Sequence, residues 1–199
     1  MSKTVTRVGP LDDGRPMTLE DFEFAEGVEG RLYELSRGVV TVIDVPKRKH
    51  MAQIEAIRDQ LYPYKFAHPS RIHTIATGAE CKILLEDLQS ERHPDLAVYL
   101  SPPPNDEADI WSTWIPELVI EVVSPSSVQR DYVEKREEYF QFGVQEYWIV
   151  DADKGQVLIL QRSRGTWAER IVQPPQLYQT RLLPGLEFAC ESVFAAAAK

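Results

Sequence analysis

Pro94-Asp95-Leu-Ala-Val-Tyr-Leu100 and Glu117-Leu-Val-Ile-Glu121-Val-Val-Ser124-Pro125 are the two runs that decide the fold. Asp95 opens an apolar run that reads as a buried strand, bounded by Pro94 and by the prolines at 102 to 104. Glu121 interrupts a second run, Leu118 to Val123, where a central strand should be wholly apolar. A carboxylate inside such a strand is costly to bury unless it is paired, hydrogen-bonded or bound to a metal. On neighbouring strands both carboxylates would point into one cleft. Oxygen ligands from separate rigid elements, with room left for water and phosphate, are what a hard divalent cation requires.

Downstream, Ser124-Pro125-Ser126-Ser127 reads as a polar turn into a helix from about Val128 to Phe142, ended by Gly143. At helical spacing Asp131, Lys135, Glu138 and Phe142 form one stripe. Asp131 could steady Lys135 toward the cleft, or the two could be a surface ion pair; the spacing leaves both open. Glu146–Val150 and Gln156–Arg162 predict a hairpin, with Tyr147 and Ile149 on one face and Glu146, Trp148 and Val150 on the other. Thr166–Val172 continues the meander, and a short helix fraying at Ala195–Ala198 closes the chain.

Upstream, residues 1–17 read as an irregular lead-in to a single domain over residues 18–199. Thr18 and Asp21 signal a helix start, and the acidic helix they open is expected to end near Gly27 or Gly30. Arg31–Arg37 and Val39–Val45 flank Gly38 as a hairpin, with Glu34 among the apolar residues of its first strand. Lys47-Arg48-Lys49-His50 opens a helix expected to run to about Leu61 and stop at Pro63. Lys47, Arg48 and Lys49 form the most basic patch, able to meet phosphate or simply to balance the acidic helix before it. His50 is read as structural. Arg71–Thr77 and Glu80–Leu85 look like a second hairpin about Gly78. In the long Ser101–Trp114 segment, Asn105, Asp106, Trp111 and Trp114 are candidate contacts, unless the tryptophans are packed inside. Together this is an α/β pattern: a mixed central sheet, flanked by helices, whose core strands carry the acids.

The 199 residues suit one compact domain. A net charge of −9 argues against a general polyanion binder with a basic face, though not against a metal-lined acidic cleft. Cys81 and Cys190 give neither a disulfide framework nor zinc spacing, so a reduced, cytoplasmic protein is expected. No stretch approaches the roughly 18 apolar residues of a membrane span, and no membrane association is expected.

Pro94-Asp95 followed by Glu121-Val122-Val123 resembles the PD-(D/E)xK nuclease pattern, with Val123 where the lysine would stand. The wider text resembles one branch, the Uma2 family of restriction-endonuclease-like proteins. Its words are Glu121-Val-Val-Ser-Pro-Ser126, Asp131 with Lys135, and Gly143-Val-Gln-Glu-Tyr-Trp-Ile-Val-Asp151. The likeness runs from roughly Thr18 to Phe188, and its specific words lie in the central third. It implies a restriction-endonuclease-like fold and a Mg²⁺- or Mn²⁺-dependent endonuclease acting on nucleic acid, DNA first. Asp95 and Glu121 would be metal ligands, with the backbone carbonyl of Val122 as a third. Asp131 would be an accessory acid, and Glu34 either a second one or a structural salt-bridge partner of Arg31 or Arg37.

Val123 shares the face of Glu121, and valine can neither position water nor stabilise charge. Lys135 is the natural substitute, because it lies on the helix leaving the Glu121 strand. Cutting both strands of a duplex is simplest with two sites, so a homodimer is expected. The rival expectation is a nuclease-fold module without catalysis, which binds nucleic acid or protein, or associates with itself in a regulatory role.

Overall fold

A computed structural model describes residues 6–104 and 110–198. The lead-in carries β1 (Arg7–Val8) and a 3₁₀ turn, Pro10–Asp12, and Val8 is buried with Leu19 and Phe22. Thr18 caps α1 (Leu19–Glu23) by accepting the Asp21 N–H. That helix stops well before Gly27, because β2 (Glu26–Gly27) pairs in parallel with β1. Gly27 is required there: a Cβ would lie 2.9 Å from the Tyr33 ring.

The hairpin of β3 (Leu32–Ser36) and β4 (Val39–Ile43) forms as its pattern predicts. Its two turn residues, Arg37 and Gly38, both have positive φ, the twist such tight hairpins need. Arg37 takes the place Asn usually fills, and its N–H donates to Ser90 Oγ at 2.8 Å.

The next helix corrects the expectation of a stop at Pro63. α2 (Arg48–Ala67) runs straight through it. Proline removes one helical hydrogen bond, but Leu61 and Tyr64 on either side are buried in the main core. The Tyr64 hydroxyl also donates to the Pro184 carbonyl at 3.1 Å. Tertiary burial outweighs the local penalty.

The hairpin expected about Gly78 does not form. β5 (Thr74–Ala76) pairs with the strand Leu96–Tyr99, whereas β6 (Ile83–Leu85) pairs with β7 (Ser90–Arg92), a strand the apolar pattern does not announce. β8 (Leu96–Tyr99) and β9 (Leu118–Val122) are the two acid-bearing runs. Between them Asn105 and Asp106 lie outside the described residues. Trp114 stacks on Tyr99 with centroids 3.8 Å apart, and Trp111 packs against two core clusters.

After β9 the helical segment begins with a π-helical turn, Arg130–Glu134, and continues as α3 (Lys135–Phe142). Gly143 ends it at φ 108°, as a C-terminal glycine should. β10 (Glu146–Asp151), β11 (Gln156–Ser163) and β12 (Thr166–Val172) form the meander. β13 (Leu177–Gln179), β14 (Glu187–Ala189) and α4 (Cys190–Ala197) close the chain.

The central sheet has the order β12-β11-β10-β9-β8-β5, antiparallel except for the parallel pair of β9 and β10. Side-chain alternation sorts its two faces. Leu118, Ile120, Val122, Trp148 and Val150 pack with α2 and α4, and Val119, Tyr147 and Ile149 pack with α3 and β6. The sheet of β4-β3-β7-β6 lies on the α3 side. The mixed sheet with flanking helices expected from the pattern is therefore present.

Replacing Pro63 with alanine restores an N–H at an exposed position of α2 and should stabilise the fold by about 1 kcal/mol, net of the unfolded-state entropy that proline suppresses. Urea unfolding would show a higher midpoint; a lower one would mean that the helix is built around the proline.

Candidate active site

Glu121 alternates with Ile120 and Val122, so it faces α3 beside Val119 rather than α2. Asp95 lies one step beyond the Leu96–Ile120 pair, which places it next to Glu121 at the carboxyl end of β9. The contact is direct: Asp95 Oδ2 accepts the Val122 N–H at 2.7 Å, and the Asp95 N–H lies 3.4 Å from Glu121 Oε2. The Val122 side chain points to the opposite core, and Val123 packs among the apolar residues under α3.

Lys135 fills the space the strand valine leaves uncharged. It is buried, and its Nζ lies 2.9 Å from Glu121 Oε1, 3.6 Å from Glu34 Oε1 and 3.7 Å from Asp131 Oδ1. The surface ion pair the spacing allowed is excluded, because Asp131 is 1% exposed. Tyr139, one turn further along α3, donates its hydroxyl to the same Glu121 oxygen at 2.6 Å. Asp131 Oδ2 accepts from Ser127 at 2.6 Å, while its Oδ1 has no hydrogen-bond partner.

Glu34 pairs with neither Arg31 nor Arg37. Arg31 reaches Asp44, and Arg37 reaches Glu137. Besides Lys135, Glu34 is held by Arg92, at 3.0 Å, and it also accepts the His93 N–H at 3.1 Å. Arg92 is wholly buried and donates to Glu138 as well, at 2.7 Å. On the open side, the first turn of α2 brings His50 Nε2 to 2.9 Å from Asp95 Oδ1. Lys47, Arg48 and Lys49 are exposed at the start of that helix, and Lys49 reaches Asp153 at 3.6 Å.

The electrostatics follow from an excess of buried acid. Glu34, Glu121, Asp131 and Glu138 are buried beside two buried cations, Lys135 and Arg92, and the half-exposed Arg37 lies 3.9 Å from Glu138. Burial pushes the Glu121 carboxyl up, and Asp95, Asp131 and Glu34 add to it against the pull of Lys135, to about 8. Burial also raises Asp131. Burial opposes ionisation of Glu34 too, but Lys135 and Arg92 outweigh it and hold the carboxyl at about 2. Burial works against the His50 imidazolium, yet the bond to Asp95 and the surrounding carboxylates raise its pKa.

Such a centre fits a hard divalent cation: the donors are carboxylate oxygens, Asp131 keeps an orphaned oxygen, and uncompensated negative charge remains. Among the described residues no group of three or more His, Cys, Asp or Glu side chains is arranged to hold a metal unaided. An ion on Asp95 and Glu121 would complete its shell with water and substrate oxygens, as Mg²⁺ commonly does. Sequence reasoning missed Arg92, Tyr139 and the contact of His50 with Asp95. Only the stripe of Asp131, Lys135 and Glu138 carried a local signal.

The model of the Uma2 family, described as "Putative restriction endonuclease", matches residues 19–191. No curated protein matches the chain. Among solved structures the fold is similar to that of a "putative nuclease belonging to DUF820" from Anabaena variabilis. The TM-score is 0.73 at 18% identity, covering 92% of this chain and 99% of that one, a likeness of fold.

The carboxylates impose opposite pH dependences on the metal-free protein. Glu34, held low, contributes stability that is complete above pH 4.5 and lost as the pH falls toward about 2. Glu121, held high, contributes stability that is complete below pH 4.5 and lost as the pH rises through about 8. Without divalent metal, the melting temperature should decline between about pH 5 and about pH 8.5, and Glu121→Gln should flatten the decline. An equally steep decline in the variant would assign it to other groups. Arg92→Met leaves two buried carboxylates without their shared cation and should cost roughly 3–5 kcal/mol in urea unfolding. A loss below about 1 kcal/mol would mean that a neighbouring group takes over the compensation.

Proposed function

Because the chain belongs to the Uma2 family, we propose that it is a metal-dependent endonuclease hydrolysing phosphodiester bonds in DNA, with Mg²⁺ or Mn²⁺ held by Asp95, Glu121 and the Val122 carbonyl. One observation carries the reading: the ammonium of Lys135 lies 2.9 Å from Glu121, beside the Asp95–Glu121 pair, although the strand position for a lysine holds Val123. The charge missing from the strand is thus present in space, delivered from the helix.

When bound, the cation would polarise the scissile phosphate and ease removal of a proton from the attacking water. The rest of the work falls to the chain itself. Asp95 and Glu121 hold two oxygens at fixed positions, because β8 and β9 are hydrogen-bonded neighbours. Val122 N–H and His50 fix the two oxygens of Asp95. Lys135 faces the charge that develops on phosphorus. Lys47, Arg48 and Lys49 contact flanking phosphates from the first turn of α2, where exposed N–H groups also favour anions. Glu34 and Asp131 act as accessory acids that keep Lys135 charged. The proposed setting is the reducing cytoplasm, with Cys81 and Cys190 as buried free thiols. A homodimer would place two such sites on one duplex.

The test is cleavage of plasmid DNA with Mg²⁺ or Mn²⁺. Lys135→Met and Asp95→Asn should each slow cleavage about 100- to 1000-fold, as expected when one charge-stabilising group is lost. Lys135→Met cutting at the parent rate would remove the lysine from the mechanism. Failure of the parent to cut DNA or RNA with any divalent metal would make a binding module the better description.

A further inference from the structure

We propose that Lys135 is the built-in occupant of the cation position at Glu121, and that a divalent ion enters by sending its ammonium to Asp131. The inference rests on the divalent-cation reading above and adds a movable part to it. Three distances motivate it. The ammonium is already shared among carboxylates, closest to Glu121 at 2.9 Å, with Glu34 at 3.6 Å and Asp131 at 3.7 Å.

Glu121 Oε1 and both oxygens of Asp95 already have close donors, while Glu121 Oε2 meets only the Asp95 N–H at 3.4 Å. Glu121 Oε1 accepts from both Lys135 and Tyr139, and Asp95 accepts from Val122 and His50. A divalent ion placed on Glu121 would therefore meet a positive charge at close range in a medium that screens poorly, and the two cations repel. One of them has to give way. Glu34 is a poor destination, since Oε1 already accepts the His93 N–H and Oε2 is held by Arg92. Asp131 is a good one: its Oδ1 is buried, without a hydrogen-bond partner, and within ion-pair reach. A movement of about 1 Å closes that gap to the ordinary length of a charge-assisted hydrogen bond.

The backbone allows the handover. Asp131 lies in the π-helical turn and Lys135 is the first residue of α3, so both project from one helix while Glu121 is fixed in the sheet. Ser127 holds the other oxygen of Asp131, which leaves Oδ1 facing the lysine. On this account Asp131 is a positioning residue. It receives the ammonium and does not touch the ion.

Mn²⁺ titration by calorimetry, on folded metal-free protein, tests the exchange without any cleavage assay. Lys135→Met removes the competitor and should bind Mn²⁺ at least about tenfold more tightly than the parent, a change of 1.4 kcal/mol. Asp131→Asn removes the receiving oxygen and should weaken binding in the parent background but leave it unchanged in the Lys135→Met background. Equal or weaker binding by Lys135→Met would overturn the exchange. So would an Asp131→Asn loss of the same size in both backgrounds, which would make Asp131 a ligand. If Glu121→Gln abolishes Mn²⁺ binding while Lys135→Met leaves it unaltered, the cation site stands and only the exchange fails. If neither the parent nor Lys135→Met binds Mn²⁺, the cation reading and the exchange fall together. Should Lys135→Met not fold, the parent carries the test. The slowly exchanging ammonium resonance of Lys135 should shift as Mg²⁺ saturates the protein, and a resonance that does not move overturns the proposal.

Discussion

Buried negative charge under the central sheet is the constraint to which the rest of the molecule answers. An ionised carboxylate away from water is tolerated only with a cation or several donors beside it. Glu121 sits between Ile120 and Val122 in a strand buried along its length, so its partners must come from elsewhere in the chain. They come from α3, as Lys135 and Tyr139, and α3 is tied in turn to β7 through Glu138 and Arg92. Arg92 reaches β3 through Glu34. The packing of the small sheet against α3 is thus written in charge as well as in apolar area. The same network sets Lys135, Arg92 and their carboxylates among the apolar residues of the α3 face.

Two carboxylates in apolar strands show what such a signal means and where it stops. Glu146 and Glu121 look alike in the sequence, each set among branched and aromatic residues. Glu146 is satisfied by neutral donors: Trp148 at 2.9 Å, Thr180 at 2.5 Å and the Tyr178 hydroxyl. It is a closed structural carboxylate. Glu121 has a lysine, a tyrosine and three neighbouring acids, an arrangement that stays short of positive charge. The difference lies in partners many residues away, which no local pattern reveals.

Much of the fold was legible because alternation and breakers act locally. The hairpins of β3–β4 and β10–β11, the meander into β12 and the helix stop at Gly143 all follow from period and turn chemistry. The errors arose where distant burial overrode the local signal. Pro63 does not end α2, since Tyr64 is anchored beyond it. β5 and β6 are consecutive but enter different sheets, because each finds a better partner further along the chain. β7 was invisible for a related reason. Ser90, Glu91 and Arg92 are polar in sequence and buried in fact: Arg92 is held by the carboxylates of β3 and α3, Glu91 by His93 and Lys82, and Ser90 by the Arg37 N–H.

The lysine is the point at which sequence and structure inform each other most. Helical spacing grouped Asp131, Lys135 and Glu138, but it could not say whether the group faced water or the core. The structure turns it inward, and the π-helical turn that begins at Arg130 is a local widening the sequence gives no sign of. A lysine carried on a strand is fixed relative to its neighbouring glutamate, since both belong to one hydrogen-bonded ladder. A lysine carried on a helix across the gap has a long stem and three carboxylates within 3.7 Å to choose among. Moving the ammonium from strand to helix therefore preserves the charge at the centre while releasing it from a single position. That freedom is what the proposed entry of a second cation would use.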